Sequence, residues 1–307
     1  MIANFFKKTK PIHAIFIGAL FLVYYLMAVL GYKNLNFSFL EVFVQLGILL
    51  LFVVIFFLIR FINRKNFLSG LNSYVLLLFA VLFGIFPKTL ELQNIFIAHF
   101  FLLLFFRRVY SIRTNKNIKQ KLFDSGFWIA VASIFYIWCM LFLILVYIAI
   151  LVNDKKQTRH LIIPLVGFAT PYFILLTYYI FTDNFDVFLD YLVFKYSLDF
   201  GGYLQLNVLF PAIFLLIISV WGILKVSTNI FSLTNDLKPS WLLIITHFII
   251  ALYIAIFAVE KNGSSFIFTF FPIAIIIANY LQILELKISK EIVIYSLLIL
   301  SISIYFL

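Results

Sequence analysis

The chain has 307 residues, of which 65% are hydrophobic, 20% aromatic and 11% charged, with a formal net charge of +11. A water-soluble domain carries about 45–50% apolar and about 25% charged residues, so this composition excludes one, together with a disordered chain and a nucleic-acid-binding domain. The single cysteine, Cys139, excludes an intramolecular disulfide and a cysteine-based metal site. The sequence predicts a protein embedded in a lipid bilayer.

Ten apolar segments predict an all-α, polytopic transmembrane helical bundle of about 10–11 helical pieces, in a single membrane domain over 1–307. Each is expected to be helical because, in lipid, only helices and closed barrels satisfy every backbone polar group, and the alternation typical of barrel strands is missing. The first segment follows a basic start without a clear cleavage site, so we expect an uncleaved helix. The predicted spans are 13–30, 39–59, 71–87, 94–106, 127–152, 161–181, 203–224, 241–259, 266–286 and 292–307.

Segment 127–152 has two interpretations. As one helix it is about 39 Å long, against a hydrocarbon core of about 30 Å, so it is either a tilted span or a hairpin of two short pieces breaking near Trp138–Cys139. The distribution of basic residues favours the hairpin. With a hairpin, 19 of the 23 Lys and Arg fall in loops on the side of the N-terminus, whereas a single crossing gives 14 against 9. The short pair 71–87 and 94–106 is also predicted to form a hairpin, meeting near Pro87 and Glu91.

The positive-inside rule then predicts a cytoplasmic N-terminus and an outer C-terminus. The inner loops carry a net charge of +14 and the outer loops −3. The inner loop Arg107–Lys121 holds six positive charges in fifteen residues, and its expected role is to anchor the chain against anionic lipid.

The longest outer loop predicts an amphipathic interfacial helix over 183–199. Its apolar residues follow a helical spacing, and Gly201-Gly202 is expected to end the helix. Asp183, Asp186 and Asp190 fall on its polar side, where they are candidates for a general base or for ligands of a divalent cation. The alternative is that these carboxylates only solvate a surface helix.

Two further carboxylates are candidate catalytic residues. Glu41 lies two residues into the second predicted span, and Glu91 lies at the tip of the short pair. A carboxylate at a membrane edge is either a snorkelling side chain or a functional group. The four histidines, His13, His99, His160 and His247, are interpreted as hydrogen-bonded packing residues. A divalent cation is the one cofactor that these residues suggest.

The stretch Phe101–Tyr136, FLLLFFRRVYSIRTNKNIKQKLFDSGFWIAVASIFY, resembles an uncharacterised family of multi-pass inner-membrane proteins of Gram-negative bacteria. The similarity extends along most of the chain and implies a bacterial inner-membrane location. The layout also resembles, more distantly, that of membrane-embedded polyprenyl-phosphate-sugar glycosyltransferases. The sequence departs from their pattern in its first outer loop, which is about eight residues, Gly31–Ser38, with Glu41 nearby, whereas theirs is long and bears the catalytic acid.

Three functions stay open at this point. They are a transferase acting on a lipid-linked sugar, a transporter or flippase of an amphipathic lipid, and a non-catalytic subunit of a cell-envelope complex. The sequence has no Gly-x4-Gly-Lys, GxGxxG, GxSxG or HExxH motif, which argues against a nucleotide-driven enzyme of the soluble type. The expected partners are the bilayer and either a lipid-linked substrate or other membrane subunits.

Overall fold

The computed structural model describes residues 2–32, 39–91, 93–114, 116–233 and 237–306, with side chains described except at 30–32, 39–41 and 231–233. The chain is 84% helical, with thirteen α-helices and no strand in this described part. The all-α prediction is confirmed. The helices are α1 (Ile2–Phe6), α2 (Pro11–Tyr32), α3 (Phe39–Asn66), α4 (Tyr74–Ile85), α5 (Asn94–Val109), α6 (Ile118–Phe135), α7 (Leu143–Val152), α8 (Thr158–Phe181), α9 (Phe185–Asp190), α10 (Leu206–Leu233), α11 (Lys238–Phe257), α12 (Ile267–Ile283) and α13 (Lys287–Ser303).

Eight helices in the described chain are long and apolar enough to cross a membrane. Two shorter apolar helices, Tyr74–Ile85 and Ile137–Val152, accompany them. The protein is therefore a multi-pass membrane protein. The spans are Pro11–Val29, Val42–Asn66, Asn94–Arg113, Thr158–Phe181, Leu206–Ile230, Lys238–Phe257, Ser264–Ile283 and Lys287–Phe306.

The segment predicted over 127–152 is broken in the structure. Helix α6 ends at Phe135, Tyr136 is extended (φ −150°, ψ 100°), and a 3-10 turn over Ile137–Phe142 leads into α7. Helices α6 and α7 contact each other. A straight tilted helix is therefore wrong for this segment, while the side of the membrane on which it ends stays a prediction.

The chain divides into two compact units. Unit 1 comprises residues 1–92, 199–234 and 260–307, and unit 2 comprises 93–198 and 235–259. The single membrane domain expected from the sequence stays a prediction, and each unit is described by itself.

Unit 1 is built around two buried helices. Eleven of the twelve residues of α4 are buried, and α12 packs against both α4 and α10. Phenylalanine rings fill this core in edge-to-face pairs. The centroid of the Phe83 ring lies 5.1 Å from the ring centroids of Phe52, Phe79 and Phe270, at interplanar angles of 89°, 85° and 87°. Such pairs add about 0.5–1.5 kcal/mol each beyond the area that they bury. The abundant phenylalanine of the sequence therefore contributes directly to packing.

Unit 2 holds a close crossing of α6 and α8. A Cβ atom added at Gly126 would collide with the carbonyl oxygen of Pro164, and one added at Gly167 would collide with the carbonyl oxygen of Phe123. Two backbones approach this closely only where glycine removes the side chain. The protein has only 11 glycines, and two of them serve this one crossing.

Candidate functional site

The three candidate aspartates, Asp183, Asp186 and Asp190, are exposed. Asp183 follows α8 with a left-handed backbone (φ 54°), Asp186 lies in the first turn of α9, and Asp190 ends that helix. Within the described residues, no three His, Cys, Asp or Glu side chains gather where they could hold a metal ion. This part of the chain therefore offers no cluster of three ligands for the divalent cation that the sequence suggests, and that cofactor stays a prediction.

The interfacial helix expected over 183–199 is much shorter in the structure. Helix α9 ends at Asp190, a turn follows over Tyr191 and Leu192, and Tyr196 then forms an isolated antiparallel bridge with Ala258. The Ser197 amide donates to the Phe257 carbonyl at 3.1 Å, and the Trp138 indole donates to the Lys195 carbonyl at 3.1 Å. These tertiary hydrogen bonds hold the backbone in a conformation that competes with the helix, so the helical spacing of its apolar residues was misleading.

Of the two candidate glutamates, Glu91 has a described side chain and Glu41 does not. Glu91 follows the 3-10 turn Pro87–Leu90 and accepts a hydrogen bond from Lys88 Nζ at 3.2 Å, with its side chain 30% exposed. Such an exposed ion pair contributes little stability, about 0–1 kcal/mol. The side chain of Glu41, near the start of α3, lies outside the described residues. Catalytic roles for Glu41, Glu91 and the three aspartates stay predictions.

Three histidines make hydrogen bonds within their units. His13 Nδ1 lies 3.0 Å from Ser73 Oγ, His247 Nδ1 lies 3.0 Å from the Tyr110 hydroxyl, and His160 Nδ1 lies 2.9 Å from the Lys155 carbonyl. His99 and His247 are fully buried. This agrees with their interpretation as packing residues.

The basic loop Arg107–Lys121 neutralises part of its charge internally. Arg108 forms an ion pair with Asp124, in which the guanidinium Nη2 lies 2.7 Å from the carboxylate Oδ2. Lys121 Nζ donates to the Ser111 carbonyl and to Thr114 Oγ1, both at 2.6 Å, and the lysine is 9% exposed. These two cations therefore fix the turn between α5 and α6.

An apolar groove lies between α2 and α3. Its volume is about 540 Å³, and it is lined along one side by residues 14–22 of α2 and along the other by residues 46–60 of α3. Four phenylalanines, Phe21, Phe52, Phe56 and Phe57, form much of its surface. The stretch 46–60 corresponds to about 21 Å of helix, longer than one leaflet of a hydrocarbon core that is about 30 Å thick. The groove has the length and polarity of a lipid-chain site.

Gly18 keeps the α2 side of the groove open. A Cβ atom added there would meet no atom within 4 Å. Gly47, in α3, is equally open but does not line the groove. A Cβ atom at position 18 would therefore lie in groove space without displacing protein atoms.

A basic, polar recess adjoins one end of this groove. Arg60 lines both cavities, as do Ala14, Ile17 and Leu76, so the two are contiguous. The recess adds the side chains of Lys10, Arg64, Asn63, Asn72 and Ser73. Its volume is only about 20 Å³, so a bulky group would lie at its mouth, against the cationic side chains.

The N-terminal segment and α4 hold this recess together. The Ser73 amide donates to the Phe6 carbonyl at 3.0 Å, and the Tyr74 hydroxyl donates to the Ala3 carbonyl at 2.7 Å. His13 contributes through its contact with Ser73 and packs its ring 4.5 Å from that of Phe5. The Ser73 side of the recess is thus fixed before any ligand arrives, which lowers the entropic cost of binding.

Three guanidinium or ammonium groups next to a lipid-chain groove can bind a phosphate. Arginine presents a fork of N–H donors that matches phosphate oxygens, and lysine adds a point charge. In the described part of this recess no carboxylate is among the lining residues, so the charge is uncompensated within it. The arrangement therefore suits an amphiphile with an anionic head.

The sequence pattern alone did not indicate this groove. In the sequence analysis, Lys10, Arg60 and Arg64 contribute only to the excess of basic residues that predicts the orientation. The candidate catalytic residues are the carboxylates predicted to lie on the outer side. The sequence does contain one signal. Gly18 and Arg60 can line the same groove if α2 and α3 are antiparallel neighbours. Their short connection makes that arrangement the expected one.

Comparison with known proteins gives a family and no activity. No curated protein and no solved structure matches the chain. The family DUF6427, described as a family of unknown function, matches residues 1–307, and the chain belongs to that family.

Proposed function

We propose that this multi-pass protein binds a single-chain lipid phosphate of the polyprenyl class in the groove between α2 and α3, and that it handles a lipid-linked substrate in a bacterial inner membrane. One observation carries the proposal. Arg60 lines both the apolar groove and the polar recess, so one ligand can place its chain in the first and its phosphate at the second.

The electrostatics support an anionic head at this end. Arg60, Arg64 and Lys10 all line the recess, and a hydrogen bond to a charged group contributes about 1.5–3 kcal/mol, less at the exposed Lys10 and Arg64. By the positive-inside rule this end faces the cytoplasm, so the phosphate of the bound lipid would lie at the cytoplasmic surface.

The position of Glu91 limits its role once the lipid is bound. Helix α4 begins beside the recess, at Tyr74, and Glu91 lies beyond its other end. Twelve helical residues span about 18 Å, so Glu91 does not reach a phosphate held at Arg60. Glu91 therefore makes no contact with that phosphate, and a transfer step catalysed by Glu91 would act at the opposite end of α4.

Lipid binding to the purified protein tests the proposal. In nanodiscs of a zwitterionic phospholipid, native mass spectrometry should detect bound polyprenyl monophosphate, with weaker binding of the uncharged polyprenol and of phosphatidylglycerol. Arg60→Gln should lower the affinity about tenfold, the loss of one charge-assisted contact.

Lys65→Gln is the matched control. Lys65 lies in the last turn of the same helix, with its Nζ 5.1 Å from the centre of the Phe61 ring, and it lines neither cavity. Equal binding of the phosphate and the polyprenol would contradict a phosphate site. Equal binding of phosphatidylglycerol and polyprenyl phosphate would contradict the assigned lipid class.

A further inference from the structure

A second cavity lies in unit 1 at the other end of α4, about 18 Å along that helix from the recess. Its volume is about 70 Å³, and its polar lining consists of Lys88 and three carboxamide side chains, those of Gln205, Asn207 and Asn262. The remaining surface is apolar, with Pro87 and Val208 among its members. This combination of carboxamides with a small apolar face is unlike the basic recess.

Stacked rings and a constrained loop fix the cavity. Phe86, which ends α4, stacks on Phe266 with centroids 4.6 Å apart and planes at 7°. Gly263 adopts φ +91°, a conformation that side chains disfavour, and a Cβ there would meet Phe86 at 3.4 Å. The loop that carries Asn262 is therefore held against the end of α4.

Lys261 anchors the same loop from the other side. Its Nζ lies 5.0 Å from the centre of the Phe200 ring and 5.2 Å from that of Tyr203, and the residue is 9% exposed. Burial lowers the pKa of Lys261, while the neighbouring Glu260 and Asp199 act in the opposite direction. Gly202 permits the approach, since a Cβ there would lie 2.6 Å from the Lys261 carbonyl oxygen.

The hydrogen-bonding capacity of the carboxamides is only partly used. Asn262 Oδ1 accepts from the amide and the hydroxyl of Ser264, at 3.0 and 2.7 Å, which leaves its Nδ2 group as a donor. Asn207 Oδ1 is buried and has no hydrogen-bond partner among the described residues. A buried acceptor without a donor is costly, and a ligand hydroxyl would supply one.

The charge around the cavity argues against an anion. Lys88 is the cation of the lining, and it is paired with Glu91 at 3.2 Å. A hydroxyl group both donates and accepts, as a carboxamide does, so several carboxamides at one cavity match a neutral polyol. The apolar residues suit the C–H face of a sugar ring.

We propose that this cavity binds the hydroxyl edge of one neutral pyranose ring, with Asn207 Oδ1 accepting from a ring hydroxyl and the Asn262 and Gln205 amides contacting its neighbours. The volume admits one edge of one ring, so the rest of the sugar lies outside. The site is separate from the lipid groove and does not depend on the function proposed for it.

Saturation-transfer NMR on the full-length protein in nanodiscs tests this assignment, with methyl glucoside, methyl galactoside and N-acetylglucosamine as probes. At least one of the three sugars should receive saturation, and the transfer should be strongest at the protons along a single edge of its ring. Asn207→Leu should abolish the transfer, and Asn207→Asp, which keeps the acceptor, should retain it.

Two further variants keep the test decisive. Gln205→Leu changes an exposed side chain and should weaken transfer several-fold even if Asn207→Leu fails to fold. Gly18→Leu, in the lipid groove, should leave saturation transfer to the sugar unchanged. Failure of the sugar site is therefore distinguishable from failure of the lipid site. Saturation of none of the sugars, equal saturation of glycerol, or transfer that persists in both Asn207→Leu and Gln205→Leu would overturn the proposal.

Discussion

Gly18 of α2 and Arg60 of α3 line one continuous groove, the glycine along its apolar length and the arginine where it meets the polar recess. Neither residue contributes a motif, and neither is a metal ligand or a nucleophile. Together they mark the apolar part and the basic end of the site that we propose for a lipid phosphate.

Filling the groove should block the lipid. Gly18→Leu adds a side chain where an added Cβ meets no atom within 4 Å, so folding should be retained while the affinity for polyprenyl phosphate falls at least tenfold. Gly47→Leu, in an equally open position outside the groove, is the matched control. Titration in nanodiscs measures both, and equal affinities for the two variants would show that the lipid does not occupy the groove.

The α6–α8 crossing should tolerate no added side chain. Gly126→Ala or Gly167→Ala places a methyl group against a backbone carbonyl, which cannot rotate away, so we expect a loss of about 1–3 kcal/mol and a lower melting temperature. Gly18→Ala, with open space around it in the interior of α2, should not destabilise the protein and should stabilise it by about 0.5–1 kcal/mol. Thermal unfolding in detergent compares them, and an unchanged melting temperature for Gly126→Ala would mean that the helices are further apart.

The candidate carboxylates can be separated from the lipid site in cells. If one of Glu41, Glu91, Asp183, Asp186 or Asp190 is catalytic, its alanine variant should reproduce the phenotype of a deletion while the protein level stays normal. The exposed positions of the three aspartates make normal levels the expectation for them. Five silent variants, in a strain where deletion has a phenotype, would remove the catalytic hypothesis.

The side of the membrane reached after α7 is open to direct labelling. The native Cys139 is fully buried, so Lys156→Cys adds one accessible thiol, at a position whose side chain is 62% exposed. An impermeant maleimide should react with it only from the cytoplasmic side, and with Asp186→Cys only from the outer side. Labelling of position 156 from outside would reverse the predicted topology of every later loop.

The fold class follows from composition, because lipid leaves a chain with these long uncharged runs no alternative to helices. The length of segment 127–152 allowed either a tilted helix or a break near Trp138, and the distribution of basic residues favoured the break. The conformation of residues 191–200 was not predictable from the spacing of their apolar residues. That spacing indicates a helix, but part of the backbone makes tertiary hydrogen bonds instead. The groove at Gly18 and Arg60 depends on how far apart α2 and α3 lie, which no single residue encodes.

Photo-crosslinking tests the central claim most directly. A polyprenyl monophosphate with a diazirine near the head of its chain, activated in nanodiscs with the full-length protein, should label peptides from 14–22 and 46–60, and labelling should fall in Arg60→Gln but not in Lys65→Gln. Labelling confined to other helices, or labelling of these peptides that is unchanged in Arg60→Gln, would contradict the account.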